Sequence, residues 1–349
     1  MAGQKQIEEP VLIRVHQRLV FSLGLLAALA LSAEDAEKLR LEREALYTGM
    51  ADASGAIVVS TNLFVVACDE DNILRVYSRD RPGPPLKQFD CDAFLELIGK
   101  STEADLEAAA RVGDRGYWMG SHGRNKNGKF RPNRGRFFAT SIQEANGEVT
   151  LTPMGKPCKT LLDDLIRDSR FDRFHFAAAA SLAPKERNAL NIEGLSATPN
   201  GQLLIGFRNP VPEGKALLIP LLNPDEVISG KPARFGAAIL LDLGGLGIRD
   251  IALYQQTYFI IAGSWHGGGP FQLYRWAGPG TRPQPLTVKH LDRYQPEGIA
   301  IYPDKGLREV QILSDDGKRV VRGVSQRAVP VAARTFRSFW VVGREGDDE

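Results

Sequence analysis

Short apolar runs that open on a polar step recur along the chain at intervals of roughly 45 to 55 residues. Each opening run is followed by a second apolar run that ends in polar or charged residues. The five openings are Ser54-Gly55, Glu107-Ala108, Glu193-Gly194, Asp250-Ile251 and Glu297-Gly298. Repeats of this period, with four strand candidates in each, predict an all-β fold of the β-propeller type. We expect five blades, with six as the alternative, closed by pairing a strand from each end of the chain, residues 38–45 with residues 336–342.

The interval between Glu107 and Glu193 is longer than the others. Four strand candidates already fill its first part, up to about residue 152. The remainder has apolar residues at helical spacing, namely Leu161, Leu162, Leu165 and Ile166. This spacing favours a short helical insertion near residues 158–190 over a sixth blade.

Composition agrees with one globular domain over residues 34–349. The chain has 349 residues, which is long enough to bury one large core. Its 35 glycines and 21 prolines are typical of many short strands joined by turns. The net charge of +2 argues against a general affinity for nucleic acid or anionic membranes. We expect a monomer.

The N-terminal segment has a different pattern. Arg14 and Arg18 precede an apolar run over residues 19–31, which ends in small residues up to Ala33. This order predicts a cleaved signal peptide over residues 1–33, too short for a stable transmembrane segment. The protein would then be periplasmic or secreted. The alternative is a buried segment packed on the domain, which would leave the protein in the cytoplasm.

The three cysteines are Cys68, Cys91 and Cys158. An odd number at irregular spacing does not match a zinc site or a disulfide framework. Burial as small apolar residues and a bridge from Cys91 to either of the others both stay open.

Several motifs together resemble the bacterial domain-of-unknown-function family numbered 3616, over about residues 47–316. They include Asp52-Ala53-Ser54-Gly55, Asn191-Ile192-Glu193-Gly194-Leu195, Arg249-Asp250-Ile251 and Pro296-Glu297-Gly298-Ile299. The resemblance implies a propeller, often exported, and brings no established reaction. The Glu-Gly-Leu openings are more loosely similar to those of esterase-like phytases and calcium-dependent lactonase-type propellers.

Strand polarity predicts a metal site. In a propeller the first strand of a blade starts on the face where the second ends, so the polar openings should meet at one channel mouth. Crowded carboxylates repel one another unless a cation neutralises them, and hard oxygen ligands favour Ca²⁺ or Mg²⁺. The predicted ligands are Glu107, Glu193, Asp250 and Glu297. The alternative is that each carboxylate caps backbone N–H groups of a neighbouring blade. No nucleotide or flavin cofactor is expected, because the glycine-rich phosphate loops are absent from the sequence.

Histidines and arginines complete the predicted site. His122 and His266 end second strands at equivalent positions, and an imidazole beside a metal-bound water can act as general base. For either one, a hydrogen bond to a turn carbonyl is the alternative. A basic loop follows His122, and we expect Arg124, with Arg208 and Arg249, to hold an anion. A solvated hairpin tip is the alternative for that loop.

Two functions follow from these observations. One is metal-assisted hydrolysis of a small anionic ester, phosphoester or lactone-like, with the histidines moving the proton. The other is a non-catalytic platform that binds a protein, glycan or cell-wall partner outside the cytoplasm. Propellers serve in both roles, so the fold leaves open whether the protein is an enzyme.

Overall fold

The structure is a computed structural model that describes residues 37–343. In that range the chain forms twenty-two strands and three short α-helices. The predicted leader over residues 1–33 lies outside the described residues, so its cleavage and the export of the protein stay predictions.

Three separate antiparallel sheets have four strands each, in chain order from the centre outward. The first sheet consists of β2 (Ala53–Val58), β3 (Leu63–Cys68), β4 (Ile73–Ser78) and β5 (Lys87–Asp90). The second consists of β6 (Leu106–Val112), β7 (Arg115–Gly120), β8 (Phe137–Ala145) and β9 (Glu148–Cys158). The third consists of β10 (Asn191–Ala197), β11 (Leu203–Asn209), β12 (Ala216–Leu221) and β13 (Ile239–Leu241).

The fourth sheet is a continuous sheet of eight strands that has two halves. One half consists of β14 (Gly247–Tyr254), β15 (Thr257–Gly263), β16 (Phe271–Trp276) and β17 (Gln284–Val288). The other consists of β18 (Pro296–Ile301), β19 (Glu309–Ser314), β22 (Thr335–Val342) and β1 (Glu37–Thr48). β1 pairs antiparallel with β22, as predicted for the two ends of the chain, and its first three residues pair parallel with β17. In chain order, a small hairpin of β20 (Val320–Val321) and β21 (Val324–Ser325) connects β19 to β22.

The first strands of the four-stranded units form a closed ring of contacts. β2 contacts β6, and the contacts continue through β10, β14 and β18 back to β2. Sheets arranged radially around such a ring are a β-propeller, so the predicted fold class is confirmed. Strand pairing gives five four-stranded units, but two of them share one continuous sheet. The number of blades therefore stays a prediction.

The predicted helical insertion is present between β9 and β10. It contains α1 (Leu161–Arg167), a 3₁₀ helix (Ser169–Phe174) and α2 (Phe176–Ala179). Its apolar side chains pack with those of β10, β11 and β12 in one buried cluster, which holds the insertion on the third sheet. α3 (Pro224–Ile228) connects β12 to β13. Single-turn 3₁₀ helices lie at Pro132–Arg134, Pro212–Gly214, Leu291–Arg293, Gly306–Arg308, Gln326–Ala328 and Val331–Ala333.

The channel between the inner strands is narrow and mostly apolar. Its void has a volume of about 170 Å³ and is lined by residues from all five inner strands. Glycine allows this close approach, since a Cβ at Gly298 would lie 2.5 Å from the carbonyl oxygen of Ser54. A Cβ at Gly55 would lie 2.6 Å from the backbone nitrogen of Ala109. Packing between neighbouring inner strands thus requires glycine at positions 55 and 298.

Cys68, Cys91 and Cys158 are free thiols, and the first two are buried. No helix in residues 37–343 is both long and apolar enough to cross a membrane.

Candidate functional site

Each inner strand has a β-bulge near its start. The inner strand has one more residue than its partner at that point, which breaks the register of the pair. A bulge re-aims the extra side chain away from the regular alternation of the strand. The residues concerned are Ser54, Glu107, Glu193, Arg249 and Glu297, and we call them the bulge ring.

Side chains of β10, β11, β14 and β18 form a buried ionic network. The Glu193 carboxylate, only 2% exposed, accepts hydrogen bonds from Arg208 and, at 2.7 Å, from the amide of Asn191. The Nε of Arg249 lies 3.0 Å from the other Glu193 oxygen, and the same guanidinium pairs with Glu297. A register break in β11 between Phe207 and Asn209 accompanies the placement of Arg208. Two guanidiniums therefore neutralise two carboxylates of the ring.

A cavity of about 1000 Å³ opens at this end of the channel. Three carboxylates meet at one side of it: Asp69 after β3, Asp105 before β6, and Glu107 in the bulge of β6. One oxygen from each lies within 4.8 Å of the others, and we call the three residues the acidic corner. The Oδ1 atom of Asp69 is buried and has no hydrogen-bond partner among residues 37–343.

The acidic corner disfavours three free negative charges. Burial, followed by the neighbouring Glu107, raises the pKa of Asp69 well above its usual range. Burial and the nearby Glu193 raise the pKa of Glu107 in the same way. Burial raises the pKa of Asp105 to about 7, although Arg134 at 2.9 Å opposes the shift. Protons or a bound cation would relieve this repulsion.

A second group of carboxylates is already paired with an arginine side chain. Asp52, Asp69 and Glu70 also offer oxygens within 4.8 Å of one another. The Arg327 guanidinium donates to Asp52 at 2.6 Å and lies 2.6 Å from Glu70 and 3.5 Å from Asp69. Burial and the nearby Asp315 raise the pKa of Asp52 to about 7. Asp69 thus lies between Arg327 and the other two carboxylates of the acidic corner.

Basic residues without an ion pair in the described part of the chain also line the cavity. Five basic residues that line it have no ion pair with any of residues 37–343: Lys126, Arg131, Lys185, Arg293 and Lys318. Unpaired cations in a concave site attract anions. The acidic corner of the cavity therefore favours a cation, and these five basic residues, which we call the rim, favour an anion.

The structure separates the four predicted metal ligands. Glu107, Glu193 and Glu297 line the cavity, whereas Asp250 does not. The Asp250 carboxylate accepts backbone N–H bonds from Ile251 and Ile299, both at 2.8 Å. This is the capping arrangement that the sequence left open, and the bulge-ring position of β14 is occupied by Arg249, one residue earlier.

The two predicted histidines do not line the cavity. His122 is buried, its Nδ1 lies 2.8 Å from the carbonyl oxygen of Gly120, and burial lowers its pKa to about 4. His266 is exposed, with its ring edge-on to Trp265. His122 has the contact to a turn carbonyl that was the alternative to catalysis.

The predicted anion-binding arginines lie in two places. Arg124 donates to the carbonyls of Ala180 at 2.8 Å and Gly128 at 3.1 Å, and thereby ties the basic loop to the helical insertion. It is not among the cavity-lining residues. Arg208 and Arg249 line the cavity, but each pairs with a ring carboxylate. The basic loop contributes Lys126, Arg131 and Arg134 to the cavity instead.

Sequence reasoning did not single out Asp105, Lys185, Lys318 or Arg327. A signal for Asp105 exists, because a polar residue precedes the bulge-ring residue by two positions in four of the five strands. These residues are Asp52, Asp105, Asn191 and Gln295. Lys185 and Lys318 lie in loops outside the repeated pattern, so no periodic signal marks them.

No curated protein matches the sequence. Solved structures with a similar fold include the glutaminyl cyclase of Myxococcus xanthus, at 14% identity and a TM-score of 0.45, covering 89% of this chain and 100% of that chain. A GH43 β-1,3-galactosidase gives 11% identity, a TM-score of 0.46, and coverage of 85% and 92%. A luciferin-regenerating enzyme gives 9% identity, a TM-score of 0.38, and coverage of 87% and 96%.

A family model matches the later part of the chain, so the quoted motifs before residue 141 lie outside the match. The model of the family described as Protein of unknown function (DUF3616) matches residues 141–300, which confirms the resemblance that the sequence motifs indicated.

Proposed function

We propose that the protein binds a divalent cation at the acidic corner and hydrolyses a small anionic ester held in the same cavity. The observation that supports this most is the meeting of three carboxylates within 4.8 Å of one another beside a rim of unpaired cations. The unpartnered Oδ1 of Asp69 is a ligand atom without another role among residues 37–343.

The acidic corner offers only carboxylate oxygens, which are the ligands that hard cations such as Ca²⁺ and Mg²⁺ prefer. Ca²⁺ tolerates variable coordination geometry, whereas Mg²⁺ demands a near-ideal octahedron. Ca²⁺ is therefore the first cation to test.

The cavity residues have separate roles in this proposal. A cation bound at the corner polarises an ester and lowers the pKa of a bound water. The rim cations hold the anionic part of a phosphoester or lactone-like substrate. Because neither histidine lines the cavity, we assign the proton acceptor to Asp315. Its carboxylate lines the cavity close enough to Asp69 to raise the pKa of that group, and it accepts one hydrogen bond, from the Gly317 N–H at 2.9 Å.

The test is a cation titration of chelator-treated protein. Ca²⁺ at a hundredfold excess over its dissociation constant should stabilise the fold by about 2.7 kcal/mol. Asp69→Asn should abolish the effect, and Asp114→Asn, at an exposed turn position, should not. Hydrolysis of p-nitrophenyl phosphate or a generic lactone should require the same cation. If the native protein shows neither a cation-dependent melting shift nor cation-dependent hydrolysis, the proposal fails.

A non-catalytic platform is the second candidate. The observation in its favour is the internal neutralisation of Glu193 and Glu297 by Arg208 and Arg249, which makes the mouth a rigid surface. Saturable binding of an anionic polymer or a protein partner, without hydrolysis of any ester, would favour it.

A further inference from the structure

Two lysines that line the cavity have no paired carboxylate among the described residues. Lys185 and Lys318 line the cavity together with Arg208 and Arg249. The two arginines share Glu193, and Arg249 also pairs with Glu297. Neither lysine has an ion pair with another described residue. The carboxylates of Glu107 and Asp315 also stabilise the charge of Arg249, so the two arginines are neutralised. The two lysine ammoniums are left without a paired counter-ion among the described residues.

The side chain of Lys185 is exposed and reaches the cavity beside Gly267. It lies in the loop between the helical insertion and β10, and its ammonium rests against the backbone of Gly267, where a Cβ would lie 2.9 Å from Nζ. Partial burial, followed by repulsion from Lys318, Arg208 and Arg249, lowers the pKa of Lys185. An ammonium crowded by like charges gains from an anion placed between them.

We propose that Lys185 and Lys318, with Arg208 and Arg249, form a subsite for a doubly charged tetrahedral oxyanion, the phosphate group of a phosphomonoester. Two uncompensated positive charges match a dianion, and lysine ammoniums bind phosphate as compact point charges. Arg208 adds a buried Nε–H that has no acceptor among residues 37–343. That this subsite holds a substrate rests on the proposed hydrolytic function. Its affinity for a dianion does not.

The experiment is calorimetric titration of chelator-treated protein with inorganic phosphate at pH 8 and low, constant ionic strength. Lys185→Met and Lys318→Met should each weaken phosphate binding about tenfold, the factor of one charge-assisted hydrogen bond. Lys215→Met, an exposed lysine outside the cavity, is the matched control and should leave the affinity unchanged. Sulfate should bind through the same lysines, and acetate should bind at least tenfold more weakly.

Several results would overturn the subsite. They are unchanged phosphate affinity in both lysine variants, an equal loss in Lys215→Met, equal binding of acetate, or phosphate binding that appears only after Ca²⁺ is added. The last result would place the anion at the acidic corner instead. Asp69→Asn separates the two proposals, because the subsite predicts that this variant keeps its phosphate affinity. Phosphate binding through the lysines in a protein without any cation effect would support the subsite and reject the hydrolytic function.

Discussion

The guanidinium of Arg249 lies 3.0 Å from the carboxylate of Glu193, across the contact between two neighbouring inner strands. Both residues are the extra residue of a β-bulge, at equivalent points of their strands. The counterparts in the other three inner strands are Ser54, Glu107 and Glu297. Arg249, together with Arg208 of the adjacent strand, allows Glu193 and Glu297 to be buried at the channel mouth.

Loss of the Glu193 charge should destabilise the fold. Glu193→Gln keeps the shape but leaves Arg208 and Arg249 buried with one carboxylate fewer. Removing one partner of a buried ion pair costs about 3 kcal/mol. Urea unfolding at pH 7 measures the difference, and Glu148→Gln at an exposed position of β9 is the control. If Glu193→Gln loses less than about 1 kcal/mol more than Glu148→Gln, the network does not stabilise the fold.

Asp250 and Asp69 should respond differently to amide substitution. Asp250→Asn leaves one acceptor for the two backbone N–H groups of Ile251 and Ile299, so stability should fall by about 1–3 kcal/mol. The stabilisation by added Ca²⁺ should stay complete in this variant and vanish in Asp69→Asn. Melting curves with chelator and with Ca²⁺ measure both effects. Loss of the cation effect in Asp250→Asn would make Asp250 a ligand after all.

The repeated openings predict the fold because the packing of a propeller dictates them. A Glu-Gly pair such as Glu297-Gly298 combines a bulged side chain at the mouth with a glycine that touches the next inner strand. Helical spacing from Leu161 onward likewise predicts an insertion that the structure contains. These signals are local and periodic, so the sequence alone reveals them.

The details of the site depend on features that periodicity does not report. A bulge shifts the register by one residue, so Arg249 and not Asp250 takes the ring position. Asp250 then replaces the glycine of other strands and caps the neighbouring backbone. Lys185 and Lys318 reach the cavity from loops, and their proximity follows only from the three-dimensional arrangement.

A methyl group at Gly298 should strain the contact between the first and last inner strands. The added Cβ would lie 2.5 Å from the carbonyl oxygen of Ser54, and backbone atoms in a closed ring cannot move away cheaply. We expect Gly298→Ala to lose about 1–3 kcal/mol in urea unfolding. Gly135→Ala is the control, because its Cβ would meet no atom closer than 3.6 Å at an ordinary φ of −85°. Equal stability of the two variants would contradict the close contact.

The buried carboxyl of Asp105 should lower the stability of the cation-free protein as pH rises. Burial raises the pKa of Asp105 to about 7 from its usual 3.8. Between these values the native protein binds a proton that the unfolded chain has released, so the free energy of unfolding falls as pH rises through this range. The contribution is complete below about pH 4 and lost above about pH 7. From pH 5 to pH 8 it amounts to roughly 3 kcal/mol in urea unfolding with chelator present.

Two comparisons test this origin of the pH dependence. Asp105→Asn is neutral at every pH, and asparagine readily adopts the φ of +52° found there, so the variant should lose less stability between pH 5 and pH 8. Asp114→Asn should behave like the native protein. Saturating Ca²⁺ should also reduce the fall, because a cation at the acidic corner replaces protons and binds better as they leave. A fall between pH 5 and pH 8 that is as large in Asp105→Asn as in the native protein would mean that the buried carboxyl of Asp105 does not contribute to it.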